Sequence, residues 1–551
     1  MQNRNPQFHR IVVSAVFIFL FGCENAPPEI ETVILNRNPN PTVPLAAILT
    51  IATNEPTQAV VRLDDGERAW DATSSETLAM EHTLTILGMR PGRMHHITAV
   101  VTDAEGGVSE SPPLPLEMPP LPSDLPTPEL ISADAARMEP GVTIFNAFAL
   151  NDEGRGIDEF GGVLFMINES GEVIWFYRTH MDVGDARRLE NGNLLIEHTL
   201  ANALIEMDML GNVVQHWHPT GTQSEFGDPP ENSTPIKTDT IHHEVYEMPS
   251  GNFLTLSSEL RIFDEYPTSA EDPDAEPGPG AVIGDIIVEF ERDGTIVHEH
   301  KMLDLLDPYR ITRFSMRPGF WSGHYEPKVD DVEATPLRDW AHANAIVHDA
   351  RDDSYIVSGR HQSAIFKFAR ETGELKWILG APDHWKEPWS AKLLQPVGDL
   401  QWQYVEHGSV LTPDGNLLLY DNGGGRAAAF MEELPLEERY SRIVEFAVDE
   451  EAMTVEQVWT YDGRPDDTFY SGYLSDADWL PVTGNILITD GARETSNDGS
   501  NAERAEANHW ARIVEVTHTE PAEVVFEVHL KEGGVGNWHI YRGERLPSLY
   551  P

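Results

Sequence analysis

The feature that most constrains the fold of this chain is a hairpin pattern that repeats along its C-terminal part. In one hairpin type, a glycine turn precedes apolar positions that often include tryptophan. In the other, a turn that is usually Gly-Asn precedes two apolar residues. Copies of the first type lie at 168–175, 208–217, 292–297 and 371–377, with degenerate copies at 453–459 and 520–526. Copies of the second type alternate with these at 190–195, 249–254, 352–356, 413–418 and 481–487. Two alternating hairpins per repeat are typical of the four-stranded blades of a β-propeller, and six copies of the first type predict six blades.

The segment before the repeats also has a strand pattern, with apolar and polar residues alternating across 29–116. Its motif Met89-x-Pro-x-x-x-His95 resembles the corner of a fibronectin-type sandwich, with His95 in the place of the usual tyrosine, so His95 is expected to be structural. A proline-rich stretch at 117–128 suits neither sheet nor helix and is predicted to be an extended linker. The sequence therefore predicts an all-β protein: a small fibronectin/Ig-like β-sandwich followed by a six-bladed β-propeller at 129–551.

Residues 1–22 have the pattern of a lipoprotein signal peptide. Two arginines precede an apolar run that is about half of the ~20 residues needed to cross a bilayer, so we do not expect a membrane-spanning helix. The run ends at Leu-Phe-Gly-Cys, which predicts lipid modification of Cys23 and a lipid-anchored spacer at 23–28. Glu24 follows and, by resemblance to known sorting signals, favours the outer membrane of a bacterial envelope, facing the periplasm or the exterior. Cys23 is the only cysteine, which excludes internal disulfides, thiolate zinc sites and cysteine nucleophiles.

The formal net charge of −53, from 91 acidic and 38 basic residues, argues against nucleic acid and anionic membrane surfaces as partners. No basic block occurs along the chain. Most of the acidic residues are expected to form a solvated surface. Because that surface repels anions, an anionic substrate would need a local cluster of cationic donors.

Three histidines are predicted to meet near the propeller axis. The first strand of each blade lines the central channel, so residues at one repeated position of these strands converge. Counting back eight residues from each turn glycine gives one residue per blade. The residues reached are His407, His243, Asp476 and Gly184, and His342 lies in the corresponding strand of the blade with the Asp352-Asp353 turn. A single histidine in a strand is usually a core residue, whereas three at one register indicate a site.

Four stretches of the sequence resemble the bacterial arylsulfate sulfotransferases. They are 339–367, which begins Asp-Trp-Ala-His-Ala-Asn and contains Ser-Gly-Arg-His-Gln; 377–380; His407 together with 420–426; and 541–550. The resemblance extends over most of 129–551 and implies a small β-domain before a six-bladed propeller. It also implies roles for single residues: His407 takes the sulfuryl group, His342, Asn344 and Arg360 bind sulfate, and His243 is the remaining site histidine. His242 is the weaker candidate because the count from the turn does not reach it.

These residues also suit sulfuryl transfer on chemical grounds. Such a transfer passes through a loose transition state, so the protein must align the nucleophile and stabilise charge on the non-bridging oxygens, as in phosphoryl transfer. Arg360 offers a planar fork of donors, and a protonated His243 or His342 could add donors or protonate the leaving phenolate. Nearby positive charge disfavours protonation of His407, which keeps a lone pair for attack and predicts a sulfohistidine intermediate.

The expected activity is a nucleotide-independent, ping-pong transfer of a sulfuryl group from a phenolic sulfate ester to a phenolic acceptor. No metal and no cofactor are expected, since no phosphate-binding glycine motif precedes a helix. Soluble periplasmic relatives lack the lipid anchor, and some carry a disulfide that this chain cannot form. The natural donor and acceptor, the histidine that is protonated, the role of the sandwich and the oligomeric state, a homodimer included, stay open.

Three other functions also stay open at this point. A quinone-cofactor propeller dehydrogenase is suggested by 369–377, which resembles the tryptophan-docking segment of those proteins in a single good copy. A metal hydrolase is suggested by histidines that could join Asp476 in a carboxylate–imidazole site. A non-catalytic binding propeller would have no need of convergent histidines beside Arg360. A tightly bound chromophore would identify the first, and sensitivity to chelators would identify the second.

Overall fold

The computed structural model describes residues 26–150, 157–222, 227–325, 335–463, 468–531 and 538–550. The predicted signal peptide at 1–22 and the predicted lipid anchor at Cys23 lie outside these ranges. Within them, no helix has the length and apolar character needed to cross a membrane. The α-helices of the described residues, α1 at Met302–Leu305 and α2 at Ser322–Tyr325, are single turns, and strands dominate. The predicted all-β fold class is confirmed.

The N-terminal strands form one antiparallel sheet. They are β1 Ile30–Arg37, β2 Ala47–Asp64, β3 Ala69–Ile86, β4 Met94–Asp103, β5 Val108–Glu110 and β6 Leu114–Glu117. The order is β1-β2-β4-β5, with β3 also paired to β2 and β6 also paired to β4. Alternate residues of β2 and β4, such as Leu49, Val61 and Val101, are fully buried, as expected for a sheet with one face on a core. His95 on β4 is also fully buried, and its Nε2 lies 3.2 Å from the backbone nitrogen of Arg90, in keeping with a structural role.

The remaining strands follow in chain order. The first group is β7 Glu129–Ala133, β8 Val142–Leu150, β9 Ile157–Ile167, β10 Val173–Thr179, β11 Ala186–Arg188, β12 Leu194–His198, β13 Ala203–Met207, β14 Val213–Pro219, β15 Thr234–Ile236, β16 His242–Glu247, β17 Phe253–Tyr266, β18 Gly278–Phe290, β19 Ile296–Lys301 and β20 Leu337–Asp339. The second group is β21 Ala343–Asp349, β22 Ser354–Gly359, β23 Ala364–Ala369, β24 Leu375–Gly380, β25 Gln395–Val397, β26 His407–Leu411, β27 Leu417–Asp421, β28 Arg442–Asp449, β29 Thr454–Tyr461, β30 Asp476–Trp479, β31 Ile486–Thr495, β32 Asn508–Val516, β33 Val524–Leu530, β34 Trp538–His539 and β35 Gly543–Leu546. Short 3-10 turns lie at Arg360–Gln362, Trp389–Lys392, Leu436–Glu438 and Arg504–Glu506.

Within the described ranges, β7 to β35 group into six sheets of four or five strands. The sheets are β10-β9-β8 with β34 and β35 on β8; β11 to β15; β16 to β19 with β20 on β18; β21 to β24; β25-β29-β28-β27-β26; and β30 to β33 with β7. One edge strand of each of five sheets contacts the matching edge strand of the next sheet: β11 with β16, β16 with β21, β21 with β26 and β26 with β30. These edge strands therefore line a common channel. The blade count of six stays a prediction beside these six sheets.

Strands from distant parts of the sequence share sheets at two places. β7 pairs with β33, and β34 and β35 pair with β8. Thus β33, β34 and β35 are paired with strands that come more than 350 residues earlier in the sequence. This pairing fixes the segment 540–542, which lies between β34 and β35 and contributes to the site described below.

Polar contacts and a shared apolar core join the N-terminal sheet to the rest of the protein. The side-chain amide of Asn38 donates to the carbonyl of Leu210 at 2.8 Å, and that of Asn40 donates to Gly211 at 2.6 Å. Buried apolar residues from both parts, such as Leu49 and Phe165, belong to one continuous cluster. The N-terminal sheet therefore packs directly on the neighbouring sheets.

Tryptophans of the repeated hairpin join neighbouring sheets. Their indole Nε1 groups donate to a backbone carbonyl in a turn of the next sheet: Trp175 to Met209 at 3.0 Å, Trp217 to Arg292 at 2.8 Å and Trp459 to Thr519 at 3.2 Å. Trp377 departs from this pattern, because its Nε1 has no hydrogen-bond partner among the described residues. A cavity of about 240 Å³ lies beside the Trp377 ring.

We expect Trp217→Phe to lower thermal stability more than Trp377→Phe. Both changes remove part of a buried indole, but only Trp217→Phe leaves the carbonyl of Arg292 without its donor. The lost hydrogen bond costs about 1 kcal/mol, the net worth of a neutral pair. Melting temperatures from circular dichroism will check this expectation. Equal losses in the two variants would show that the indole hydrogen bond does not hold the sheets together.

Candidate active site

The strands that supply the site are interrupted by bulges where they reach the channel. Regular pairing shifts at 242–245 on β16, 343–345 on β21 and 407–410 on β26. His243 and His342 have φ values of 63° and 49°, in the left-handed region. A residue with a Cβ pays of order 1 kcal/mol or more to stay there. Gly408, with φ of 59°, adopts the same conformation next to His407. Because a bulge re-aims the side chains around it, these interruptions direct the histidines into the channel.

The structure brings the three predicted histidines together. The ring centroids of His243 and His342 are 4.8 Å apart. The ring of Tyr541 lies near both His243 and His407, with centroid distances of 5.9 Å and 6.4 Å. The exposed fractions of His243, His342 and His407 are only 8%, 9% and 2%. Histidines that the sequence places at one register on three strands are therefore neighbours in a pocket that is largely closed to solvent.

The hydrogen bonds of Asn422 fix the tautomer of His407. The amide nitrogen of Asn422 donates to the carbonyls of Ser471 at 2.8 Å and Leu474 at 3.0 Å. The amide oxygen therefore faces Nδ1 of His407, at 2.7 Å. Since an amide oxygen only accepts, Nδ1 must carry a proton, and in the neutral imidazole the lone pair is therefore on Nε2. Burial lowers the pKa of His407 well below its ordinary value and keeps the imidazole neutral, so Nε2 is available as a nucleophile.

Asp339, which the sequence pattern did not single out, holds His342. A carboxylate oxygen of Asp339 lies 2.5 Å from Nδ1 of His342, and Asp339 is fully buried. Burial raises the pKa of Asp339 well above its ordinary value, while the charge of Arg360 opposes the rise. The two groups therefore titrate as a pair that shares the proton between them. Whichever partner holds this proton, Nε2 of His342 is the ring nitrogen left for a substrate.

His361 is a second site residue that the sequence pattern did not single out. Its ring stacks on that of His342 with a centroid distance of 4.5 Å, and its Nδ1 donates to the backbone carbonyl of Asp339 at 2.8 Å. His361 follows Arg360 directly, and Asp339 precedes His342 by three residues. The available signal was this proximity within the 339–367 stretch, but proximity alone does not reveal the contacts.

Arg360 offers free donors to the same pocket. Only 8% of the residue is exposed, and one terminal nitrogen donates to the carbonyl of Gly472 at 3.1 Å. The Nε group has no hydrogen-bond partner among the described residues. The guanidinium carbon lies 5.4 Å from the centroid of the Phe314 ring. A buried arginine with unused N–H groups is suited to bind the oxygens of an anion.

Asn344 lies beneath the pocket and is fully buried. Its side-chain amide donates to the carbonyl of Glu406 at 2.7 Å, directly before His407. Its own backbone carbonyl accepts from Arg542 at 2.7 Å and from the Tyr541 hydroxyl at 3.2 Å. With its N–H group engaged in this way, Asn344 is placed to position the start of β26.

Burial keeps the site histidines neutral. It lowers the pKa of His407 and of His342 well below the ordinary value, and the charge of Arg360 lowers both further. Burial does the same to His243, where the neighbouring histidines add to the effect. Burial also lowers the pKa of Arg360, to about 10, which leaves it protonated at neutral pH. Glu406 has its pKa raised to about 8 by burial, so it adds little negative charge beside Arg360 at pH 7.

The described residues contain one group that could hold a metal ion: Asp339, His342 and His361, with one possible ligand atom from each within 4.8 Å of the others. Two features favour a hydrogen-bonded cluster over a ligand set. The short Asp339–His342 contact is a hydrogen bond, and Nδ1 of His361 is already used by a carbonyl. Asp476, the carboxylate considered from the sequence, lies instead beside Arg542, with 3.9 Å between Nε and the nearest oxygen.

Aromatic residues of the segment 312–325 cover the pocket. The ring of Phe320 lies 5.5 Å from that of His243 and 5.4 Å from that of His342. The ring of Trp321 packs at 4.9 Å against His242. His242 is fully buried and its Nδ1 lies 2.7 Å from Nδ1 of His243, so it supports His243 from behind. The half-buried Phe320 gives the pocket an apolar wall of the size of an aromatic ring.

Two family models match this chain. The model described as arylsulfotransferase (ASST) matches residues 129–542, and the model described as arylsulfotransferase Ig-like domain matches residues 34–119. Together they cover most of the N-terminal sheet and every residue of the site.

Curated relatives with the name arylsulfate sulfotransferase AssT are similar to part of this chain. The protein from Escherichia coli O6:H1 is 30% identical over 306 residues, 49% of this chain and 46% of the relative. The protein from Lelliottia amnigena is 30% identical over 226 residues, 35% of this chain and 37% of the relative. The matches thus span less than half the length of either relative. Among solved structures, a protein of unknown function from Bacteroides caccae has 12% identity and a TM-score of 0.37 over 73% of this chain and 99% of its own, too distant to bear on function.

The depressed histidine pKa values predict a loss of stability in mild acid. Below about pH 6.5 the unfolded chain protonates its histidines, whereas buried histidines with lowered pKa stay neutral, so the unfolded state binds more protons. Each such histidine then costs about 1.4 kcal/mol of unfolding free energy by about pH 5.5. Urea unfolding at about pH 7.5 and 5.5 should show a smaller pH dependence in His243→Asn than in the wild type. The exposed His96→Gln is the control, and an unchanged pH dependence in His243→Asn would contradict burial of a neutral His243.

Proposed function

The chain belongs to the arylsulfotransferase family, and on this premise we propose that it transfers a sulfuryl group from an aryl sulfate ester to a phenolic acceptor through a covalent intermediate on His407. The observation that carries the proposal is the fixed tautomer of His407. A neutral imidazole with its lone pair on Nε2, in a pocket that holds a free arginine, is what nucleophilic attack on an anionic sulfur ester requires.

In the first half-reaction, Nε2 of His407 attacks sulfur and forms the N–S bond. The bond between sulfur and the phenolic oxygen breaks, and the electron pair leaves with that oxygen. Arg360 donates to the non-bridging oxygens, whose charge its free N–H groups stabilise in the transition state. The side chain of Asn344 keeps the start of β26 in place, so that His407 does not shift during the attack.

The Asp339–His342 pair supplies and removes the phenolic proton. When Asp339 holds the shared proton, Nε2 of His342 carries a hydrogen that it can give to the departing phenolate. The shared proton then moves to Nδ1, which leaves a lone pair on Nε2. In the second half-reaction this lone pair takes the proton of the acceptor phenol, the phenolic oxygen bonds to sulfur, and the N–S bond breaks to restore His407. The pair ends in its starting state.

His243 and the aromatic wall complete the proposed site. Nδ1 of His243 is occupied by His242, so Nε2 is the ring nitrogen that can contact a sulfuryl oxygen or the bridging oxygen. The ring of Phe320 covers both His243 and His342 and suits the aromatic part of donor and acceptor. This apolar contact supports a phenolic substrate over an alkyl alcohol.

We also propose that the protein is a lipoprotein of the bacterial envelope, attached through Cys23 after removal of residues 1–22 and delivered to the outer membrane by the sequence that follows the cysteine. Support comes from the Leu-Phe-Gly-Cys sequence at the end of the apolar run.

We expect release of phenolate from an aryl sulfate to accelerate when a phenol is added, without any nucleotide sulfate donor. Transfer to the phenol regenerates His407, whereas burial of the site limits the access of water as a competing acceptor. A chromogenic aryl sulfate with and without phenol, each with and without a chelator, provides the measurement. Release that depends on water alone and stops with the chelator would identify a metal hydrolase and end the proposal.

We expect His407→Asn to abolish both turnover and the first stoichiometric release of phenolate, because no N–S bond can form. His342→Asn removes proton transfer only, so slow labelling of His407 should survive in that variant. Mass spectrometry after brief exposure to donor locates the acid-labile adduct. An adduct on His243 or His342 in the wild type, or an undiminished burst in His407→Asn, would refute the assignment of the nucleophile.

A further inference from the structure

Arg317 is exposed and belongs to the segment 312–325, whose aromatic residues cover the pocket. Its guanidinium carbon stands 4.9 Å from the centroid of the Phe314 ring, and the buried Arg360 stands 5.4 Å from the same centroid. The backbone carbonyl of Arg317 accepts from the backbone nitrogen of Asp339 at 2.8 Å, which ties the segment to the site. Phe314 is therefore contacted by an inner and an outer guanidinium.

Among the residues that the structure describes, Arg317 also has no carboxylate partner, which is unusual in so acidic a chain. The protein has 91 acidic and 38 basic residues, yet among the residues that the structure describes no carboxylate lies within ion-pair distance of Arg317. Arg313 on the same segment shows the ordinary arrangement, with Glu271 at 2.9 Å and Glu433 at 3.7 Å. An exposed arginine without an ion pair keeps its donors for a ligand.

The positive charge of Arg317 reaches the inner site. It contributes to the lowered pKa of Arg360 and of His361, for both of which burial is the main cause. Since both guanidinium groups flank one ring, they are at most about 10 Å apart, close to the distance over which salt screens charges at physiological ionic strength. A single sulfate at Arg360 leaves the outer cation without a counter-charge. A second anionic group on the same aromatic ring would neutralise it.

We propose that Arg317 forms an outer anion subsite, and that the preferred substrates are aromatic sulfates that carry a second anionic group, such as a carboxylate, across the ring from the sulfuryl group. This inference rests on the proposed function, because it places the reacting sulfate at Arg360 and His407. The planar fork of Arg317 can bind a carboxylate with two parallel hydrogen bonds, while the ring of Phe314 holds the guanidinium in place.

The test compares para-carboxyphenyl sulfate with its methyl ester, which differ by one negative charge. We expect Arg317→Gln to lower kcat/KM for the carboxylate about fivefold, the upper end for an exposed ion pair, and to change it less than twofold for the ester. Arg313→Gln, which removes an equal charge from the same segment, should change the ratio of the two donors little. An equal loss of kcat/KM for both donors in Arg317→Gln would mean that the residue only attracts anions from a distance, and would overturn the subsite.

A binding measurement separates failure of the subsite from failure of the proposed function. Calorimetric binding of para-carboxyphenyl sulfate to His407→Asn requires no chemistry. The added variant His407→Asn/Arg317→Gln should bind this donor about fivefold more weakly and the ester unchanged. Wild-type protein that binds the donors with this charge preference but transfers nothing would refute the proposed function and keep the subsite. Equal affinities for the two donors in His407→Asn would refute the subsite.

Discussion

The site depends on interrupted strand pairing at the channel. In a regular β-strand, successive side chains point to opposite faces of the sheet. Regular strands around a channel would therefore direct few of their side chains toward one shared site. The bulges on β16, β21 and β26 change this direction, and left-handed residues at His243, His342 and Gly408 accompany them. Such a backbone persists only where its surroundings hold it. Here buried carboxylates hold two of the bulges, because Asp185 accepts from the backbone nitrogen of Val245 at 3.3 Å and Asp285 accepts from that of Ala343 at 3.0 Å.

Burial then sets the charges inside the pocket. A chain with a formal charge of −53 must present a positive site to an anion, and desolvation contributes to this in two ways. It raises the pKa of Asp339 and Glu406, which reduces the negative charge around Arg360, and it keeps the histidines neutral so that His407 retains a lone pair. Arg360 itself stays protonated, because the pKa of a guanidinium falls only to about 10 there. The pocket thus gains its polarity from the exclusion of water as much as from its residue types.

The sequence predicted the broad architecture and the nearness of the histidines, but not their partners. Periodicity and turn glycines are local signals, and they were sufficient for the all-β class and for the register of His243 and His407. The contact of Asn422 with His407 joins the residue that follows β27 to the first residue of β26, and the left-handed backbone at His342 accompanies the contact of its ring with Asp339. Neither contact could be found from spacing. Asn344, for which the resemblance implied sulfate binding, has its amide group turned to the carbonyl of Glu406. Three features stay predictions: the six-blade count, the domain boundaries and the lipid at Cys23. They were inferred from repeats and from a leader sequence, and no contact between described residues tests them.

The position of Tyr541 and Arg542 has a consequence for the time at which the pocket forms. Both residues contact the backbone of Asn344. The strands on either side of them, β34 and β35, pair with β8, which lies about 400 residues earlier in the sequence. During synthesis the nucleophile, the arginine and the other two histidines emerge well before this closing segment. Until then the chain has its reactive residues but lacks the contacts of Tyr541 and Arg542 with Asn344. The pocket therefore becomes competent only after β34 and β35 have paired with β8, however early its reactive residues were made.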